Sequence, residues 1–172
     1  SLENRWRFLL QIIDGIRERC RPDFLLGVRL SPERFGMQLS EVTQLAGRLM
    51  QEDQLDFLDM SLWDVWKEPE EAAHKCRALI DYFTELPRGR TRLGVAGKIR
   101  TPEEAERALE TGVDWIMLGR AAILHHDFPG RYTDDPGFVP ETLPVSRDYL
   151  DRDGLSSAFI EYMASWPGFI AD

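Results

Sequence analysis

The sequence predicts an α/β fold built from βα units, and within that class half of a (β/α)8 barrel. Two observations carry the prediction. Four short apolar stretches alternate with helix-like stretches through short connections, the pattern of a parallel sheet with right-handed crossovers. The polar residues of the apolar stretches gather at their C-terminal ends: Arg29-Leu30-Ser31, Ser61, Gly97-Lys98 and Gly119-Arg120. A barrel keeps its chemistry at those ends, whereas an open doubly wound sheet normally carries a Gly-rich first turn that is missing here.

The elements follow in order. Residues 1–20, "SLENRWRFLLQIIDGIRERC", place Leu2, Trp6, Leu9, Leu10, Ile13, Ile16 and Cys20 at helical spacing. This helix has an apolar face with no earlier element to cover it, so the chain reads as a piece of something longer. "DFLLGVRL" (23–30) is nearly continuous apolar sequence, as in a strand buried on both faces. "LSEVTQLAGRLMQED" (39–53) is an amphipathic helix with Ser40 as N-cap. "LDFLDMSL" (55–62) is the second strand, and "EPEEAAHKCRALIDYFTEL" (68–86) a helix with Pro69 in its first turn. "RLGVAG" (92–97) is the third strand. "TPEEAERALETG" (101–112) combines a Thr-x-x-Glu capping box, Pro at the first helical position and a terminal Gly. "VDWIMLG" (113–119) is the fourth strand. The Pro- and Gly-rich tail, 128–152, reads as irregular, and residues 153–166 form a last helix, all within one partial-barrel domain of 172 residues.

Composition narrows the function. With 21 Lys+Arg against 30 Asp+Glu the net charge is −9, which argues against a nucleic-acid surface. No apolar run approaches the ~20 residues of a membrane span, and no signal peptide is visible. Cys20 and Cys76 lack metal-ligand spacing and read as buried reduced thiols of a cytoplasmic protein.

An anion site must therefore be local. Ala96-Gly97-Lys98 and Gly119-Arg120 are two matching corners on the last two strands. Glycine at a strand end lets the backbone approach a ligand and frees N–H groups to face an anion. The "RAAILHH" segment after Gly119 adds a helix N-terminus, and Arg120 offers a bidentate contact. Alternatively these are turn glycines beside solvated cations, but two such corners together favour a phosphate.

These residues resemble the Old Yellow Enzyme family of FMN-dependent NAD(P)H:flavin oxidoreductases. "SLENRWRF", "GVRLSP", "AGKI…TPEEAE", "MLGRAAILHHDFP" and the ending "GLSSAFIEYMASWPGFI" are similar to family motifs in order and spacing. The resemblance implies strands five to eight of the barrel, the C-terminal half. It implies FMN as cofactor, NADH or NADPH as reductant, and an activated alkene or similar small molecule as acceptor. Arg29 would lie by the flavin N1/C2-carbonyl edge, Ala96, Gly97 and Lys98 would turn backbone N–H groups to the phosphate, and Gly119 and Arg120 would close the other side. The family's acceptor-binding His/Asn pair and its proton-donating Tyr would lie upstream of Ser1, so no catalytic residue is expected here and the chain alone should be inactive.

Other residues have plainer readings. Arg29 could instead pair with an acid such as Asp59. His125 and His126, followed by Asp127, suggest a metal at first sight, but adjacent residues rarely chelate one ion and surface histidines are the expectation. His74 reads as structural, Trp63 and Trp66 as pocket wall or self-packed loop, and Asp134, Asp135 and 149–152 as solvated loop. A half-barrel also exposes two strand edges, so the chain should pair with the complementary N-terminal half or with a second copy. The competing function is a phosphate-binding half-barrel that self-associates without redox chemistry. An aldolase or isomerase has less support, since no Lys lies inside a strand.

Overall fold

The computed structural model describes residues 1–171, and its contacts divide them into two compact units. Unit 1 comprises Ser1–Gly97 and Arg107–Met117; unit 2 comprises Lys98–Glu106 and the chain from Leu118 onward.

Unit 1 is built on four parallel strands, β1 (Gly27–Leu30), β2 (Phe57–Ser61), β3 (Arg92–Ala96) and β4 (Trp115–Met117), in the spatial order β1-β2-β3-β4. Chain order equals spatial order, as the repeated βα pattern predicts. The two faces differ sharply. Leu58, Met60, Leu93 and Val95 point to one side and are fully buried. The register sets Arg29, Asp59, Gly94 and Trp115 in one row across the other side. There Phe57 and Trp115 meet edge to face at 5.5 Å. A Cβ on Gly94 would sit 2.2 Å from the Trp115 ring, so the glycine is what admits the indole.

Helix α1 (Leu2–Arg19) is capped by the Ser1 hydroxyl, which accepts from the Asn4 N–H. The apolar face expected to lack a cover is instead half-buried along Leu2, Trp6, Leu9, Leu10, Ile16 and Cys20 and fully buried at Ile13, while Phe8, off that face, is 73% exposed. Strand β1 is shorter than its apolar run: Phe24 and Leu25 are exposed, and no residue of β1 is fully buried, so it is not a strand buried on both faces. Helix α2 (Leu39–Gln51) packs on β2. Its N-cap is Gln38 rather than Ser40, because the Glu71 carboxylate accepts from the Leu39 N–H and supplies the cap from outside.

The largest departure is at 68–86. The run is a 3₁₀ turn (Ala72–His74) and a single helical turn, α3 (Asp81–Thr84), with loop between. Its acids serve other groups. Lys67 bridges Glu33 and Glu70, the Glu70 N–H donates to Glu33, Glu71 caps α2, and Glu68 accepts from the Cys76 N–H. Tertiary partners override helix propensity here. Cys76 sits at φ +93° and is exposed, and Cys20 is half-buried, so neither is a buried thiol.

Helix α4 (Pro102–Glu110) has its capping box: the Glu104 N–H donates to Thr101 Oγ1, and Glu104 Oε2 accepts from the Thr101 and Arg100 N–H groups. Unit 2 continues with α5 (Arg120–Leu124), α6 (Phe128–Asp134), α7 (Arg147–Arg152) and α8 (Ser157–Ala164). Helices α6 and α7 occupy sequence that reads as irregular. Ser146 caps α7 through the Tyr149 N–H, and Leu150 is fully buried beside Leu124, Val145, Ile160, Met163 and Phe169. The last helix begins at Ser157 rather than 153, because Asp153 and Gly154 close α7. No helix among the described residues is long and apolar enough to cross a membrane.

Candidate functional site

In unit 1 the chemistry lies at the C-terminal end of β1 and β2. Arg29 and Asp59 are register neighbours on the same face. Arg29 Nε lies 3.2 Å from Asp59 Oδ2, and Arg29 Nη2 donates to Ser61 Oγ at 3.1 Å. The acid weighed from sequence as a partner is therefore a real one. The guanidinium is not consumed by it, since the Arg29 side chain remains 53% exposed while that of Asp59 is 6% exposed. Asp59 Oδ1 is buried without a hydrogen-bond partner among the described residues. Burial pushes the Asp59 carboxyl above its ordinary range, with the Arg29 charge opposing.

The loop that follows β2 carries two tryptophans, Trp63 and Trp66. Trp63 is 59% exposed at φ +64°, and the Arg34 guanidinium lies 4.5 Å over its ring. Trp63 thus remains available to wall a pocket. Trp66 packs back into unit 1, with Arg107 3.7 Å over its ring. His74 faces the Tyr82 ring edge to face and lies 3.7 Å from Glu71, a structural role.

The predicted phosphate corners divide between the units: Ala96 and Gly97 close unit 1, while Lys98, Gly119 and Arg120 belong to unit 2. Gly97 has a structural need of its own. A Cβ there would lie 2.9 Å from the Asp64 N, because residues 63–65 pass against it and the Val65 N–H donates to the Gly97 carbonyl. Lys98 adopts φ +51°, unusual for a side-chain-bearing residue. Gly119 is the N-cap of the five-residue α5, and a Cβ on it would meet nothing within 4 Å. Arg120 has no carboxylate partner among the described residues and lies 5.8 Å from the Trp166 ring centroid. With Arg100, Thr101, Leu124 and Leu143 it lines a cavity of about 210 Å³.

The two histidines separate. His126 is exposed, as expected, but His125 is buried. Its Nε2 accepts from the Glu141 N–H at 2.9 Å, which places the ring proton on Nδ1, 3.1 Å from the Tyr149 hydroxyl oxygen. Tyr149 in turn donates to the Leu124 carbonyl at 2.8 Å. Sequence reading missed this knot because its partners lie 16 and 24 residues downstream, in sequence that looks like loop. Burial holds His125 below the ordinary histidine range and raises Tyr149. His126, Asp127 and Asp153 approach one another closely enough for a metal, but Arg131 lies 2.7 Å from Asp127 and 3.5 Å from Asp153, so a cation would compete with a guanidinium.

Comparison with known proteins gives these residues a family. The model of the NADH:flavin oxidoreductase / NADH oxidase family matches residues 1–135, which excludes α7 and α8. The probable NADH-dependent flavin oxidoreductase YqiG of Bacillus subtilis is 30% identical over 131 residues, 72% of this chain and 35% of that protein. Cinnamate reductase of Clostridium sporogenes is 24% identical over 157 residues, 78% of this chain and 24% of that protein. Among solved structures, morphinone reductase in complex with tetrahydroNAD superposes with a TM-score of 0.58 at 23% identity, over 87% of this chain and 38% of that one. A variant of NCR from Zymomonas mobilis gives 0.57 at 24% identity, over 83% and 44%. The chain spans about a third or less of the curated relatives' length. Its fold is that of a partial (β/α)8 barrel. It belongs to the NADH:flavin oxidoreductase / NADH oxidase family, the Old Yellow Enzyme family that its motifs resemble.

Proposed function

We propose that this chain carries the phosphate side of an FMN site in an oxidoreductase that uses NADH or NADPH to reduce an activated alkene or similar small molecule. The observation that carries the reading is Arg29, held at a strand C-terminus by Asp59 and Ser61 yet more than half exposed. The donors left over fit the cofactor. Among the described residues Arg29 Nη1 has no protein partner and Arg120 no carboxylate partner, so one cation suits an electron-rich ring edge and the other a phosphate.

The chemistry supplied by bound FMN is hydride exchange between the nicotinamide and the acceptor. The protein's contribution is electrostatic and positional. Arg29 would stabilise negative charge at the N1/C2-carbonyl edge of the flavin. Backbone N–H groups of Ala96, Gly97 and Lys98, with Gly119 and Arg120, would hold the phosphate. The acceptor-binding His/Asn pair and the proton-donating Tyr have no counterpart in the chain, so it is inactive alone. The open edges at β1 and β4 take the complementary N-terminal half of the barrel or a second copy.

The test is spectroscopic. The purified chain, alone and with the complementary half, is titrated with FMN and followed by flavin absorbance and fluorescence. Arg120→Ala should weaken binding by about 1.5–3 kcal/mol, the usual worth of a hydrogen bond to a charged group. Phosphate binding without a flavin spectrum would favour the non-redox module, and unchanged FMN affinity in Arg120→Ala would remove Arg120 from the site.

A further inference from the structure

The geometry points to Asp59 as the positioning residue for Arg29: it steers the guanidinium along β2 to the strand ends and offsets the charge that Arg29 presents there. This rests on the flavin reading of Arg29 and goes beyond it by naming the residue that controls the arginine.

Asp59 is an improbable residue for its place unless it has such a task. Its neighbours Leu58 and Met60 are fully buried and apolar. Its own side chain is almost completely buried, one oxygen lacks a partner among the described residues, and burial raises its proton affinity. A carboxylate in that position costs stability that an apolar side chain would not. Its register neighbours are Gly94 on β3 and Arg29 on β1.

Asp59 and Ser61 are two residues apart on β2 and therefore face the same side of the sheet. They engage successive parts of one guanidinium, Asp59 at Nε and Ser61 at Nη2. Together they form a rail that carries the Arg29 side chain from β1 across to the C-terminal end of β2. Two fixed points set the plane of a rigid, planar group and leave Nη1 directed to a ligand. Ser61 contributes a neutral contact; Asp59 alone contributes charge. An ionised Asp59 therefore both aligns the cation and partly cancels it.

The experiment uses two readouts. The first needs no flavin: ¹⁵N relaxation of Arg29 Nε in the chain, assigned by its loss in Arg29→Lys. Arg29 Nε should be as rigid as the strand backbone in the wild type, mobile in Asp59→Ala, and rigid again in Asp59→Asn, which restores a contact without charge. Circular dichroism identifies any variant that fails to fold, and the Asn and Ser61→Ala variants then carry the comparison. The second is the midpoint potential of FMN bound to the chain with its complementary half, at pH 8. Asp59→Asn should raise it, favouring the reduced form about tenfold, close to 30 mV for a two-electron couple. Arg29 equally rigid in wild type and Asp59→Ala overturns the positioning role. Equal potentials in wild type and Asp59→Asn overturn the charge offset. A rigid Arg29 in a wild-type protein that takes up no FMN overturns the flavin reading instead, so the two failures are distinct.

Discussion

Leu58 and Asp59 are consecutive residues of β2, yet they face opposite sides of the sheet and obey different rules. On the Leu58 side every central residue of β2 and β3 is apolar and fully buried. On the Asp59 side the four strands set a glycine, two aromatic rings, a carboxylate and an arginine side by side. The first face is what folding requires. The second is more expensive than folding requires, and that excess is where function is to be sought.

The largest effect should come from the dry face. Leu58→Ala removes a fully buried side chain and should cost about 2–5 kcal/mol in urea or thermal unfolding. Met117→Ala, on the opposite face and 38% exposed, should change stability by no more than about 0.5 kcal/mol. Equal losses at the two positions would mean that both faces are core and that the contrast is misplaced.

An intermediate effect is expected at Gly94. A methyl group there meets Trp115 ring atoms at 2.2–2.5 Å, and the indole has the Phe57 ring beside it. Gly94→Ala should destabilise by about 1–3 kcal/mol, the range for overpacking. The double variant Gly94→Ala, Trp115→Leu should recover most of it. No recovery would show that the glycine is needed for something other than the ring.

Much of this contrast was legible in the sequence, and what was not has a physical cause. The four strands, their order and the capping box at Thr101 follow from apolar runs and local spacing, which are properties of neighbouring residues. Arg29 was conspicuous as a cation inside an apolar run, and Asp59 as the acid in reach of it. The helix expected at 68–86 failed because Glu68, Glu70 and Glu71 are recruited by groups that the sequence cannot place beside them: Cys76, Lys67 and the Leu39 N–H. His125 was misread for the same reason, its burial depending on Tyr149 and Glu141 from sequence without helical or strand periodicity. Local rules reached the sheet and its polar face; they did not reach knots tied between distant loops.

The smallest effect separates two buried titratable groups, Asp59 and His125, by the sign of their pH dependence. Asp59 has its folded-state proton affinity raised by burial, so between its unfolded value, about 3.9, and its higher folded value the native protein holds more protons. Its contribution to stability therefore falls as pH rises through that window. His125 has its folded-state affinity lowered, so from about 6.5 down to its folded value the unfolded chain holds more protons. Its contribution is fully present above 6.5 and is lost as pH falls. Protonating Nε2 would also displace the Glu141 N–H that donates to it. Thermal melts between pH 4 and 8 should show Asp59→Asn gaining on the wild type as pH rises, and His125→Gln gaining on it as pH falls. Parallel curves for wild type and Asp59→Asn would mean that the carboxyl titrates as it does in the unfolded chain, and that the polar face of the sheet is better solvated than its buried oxygen implies.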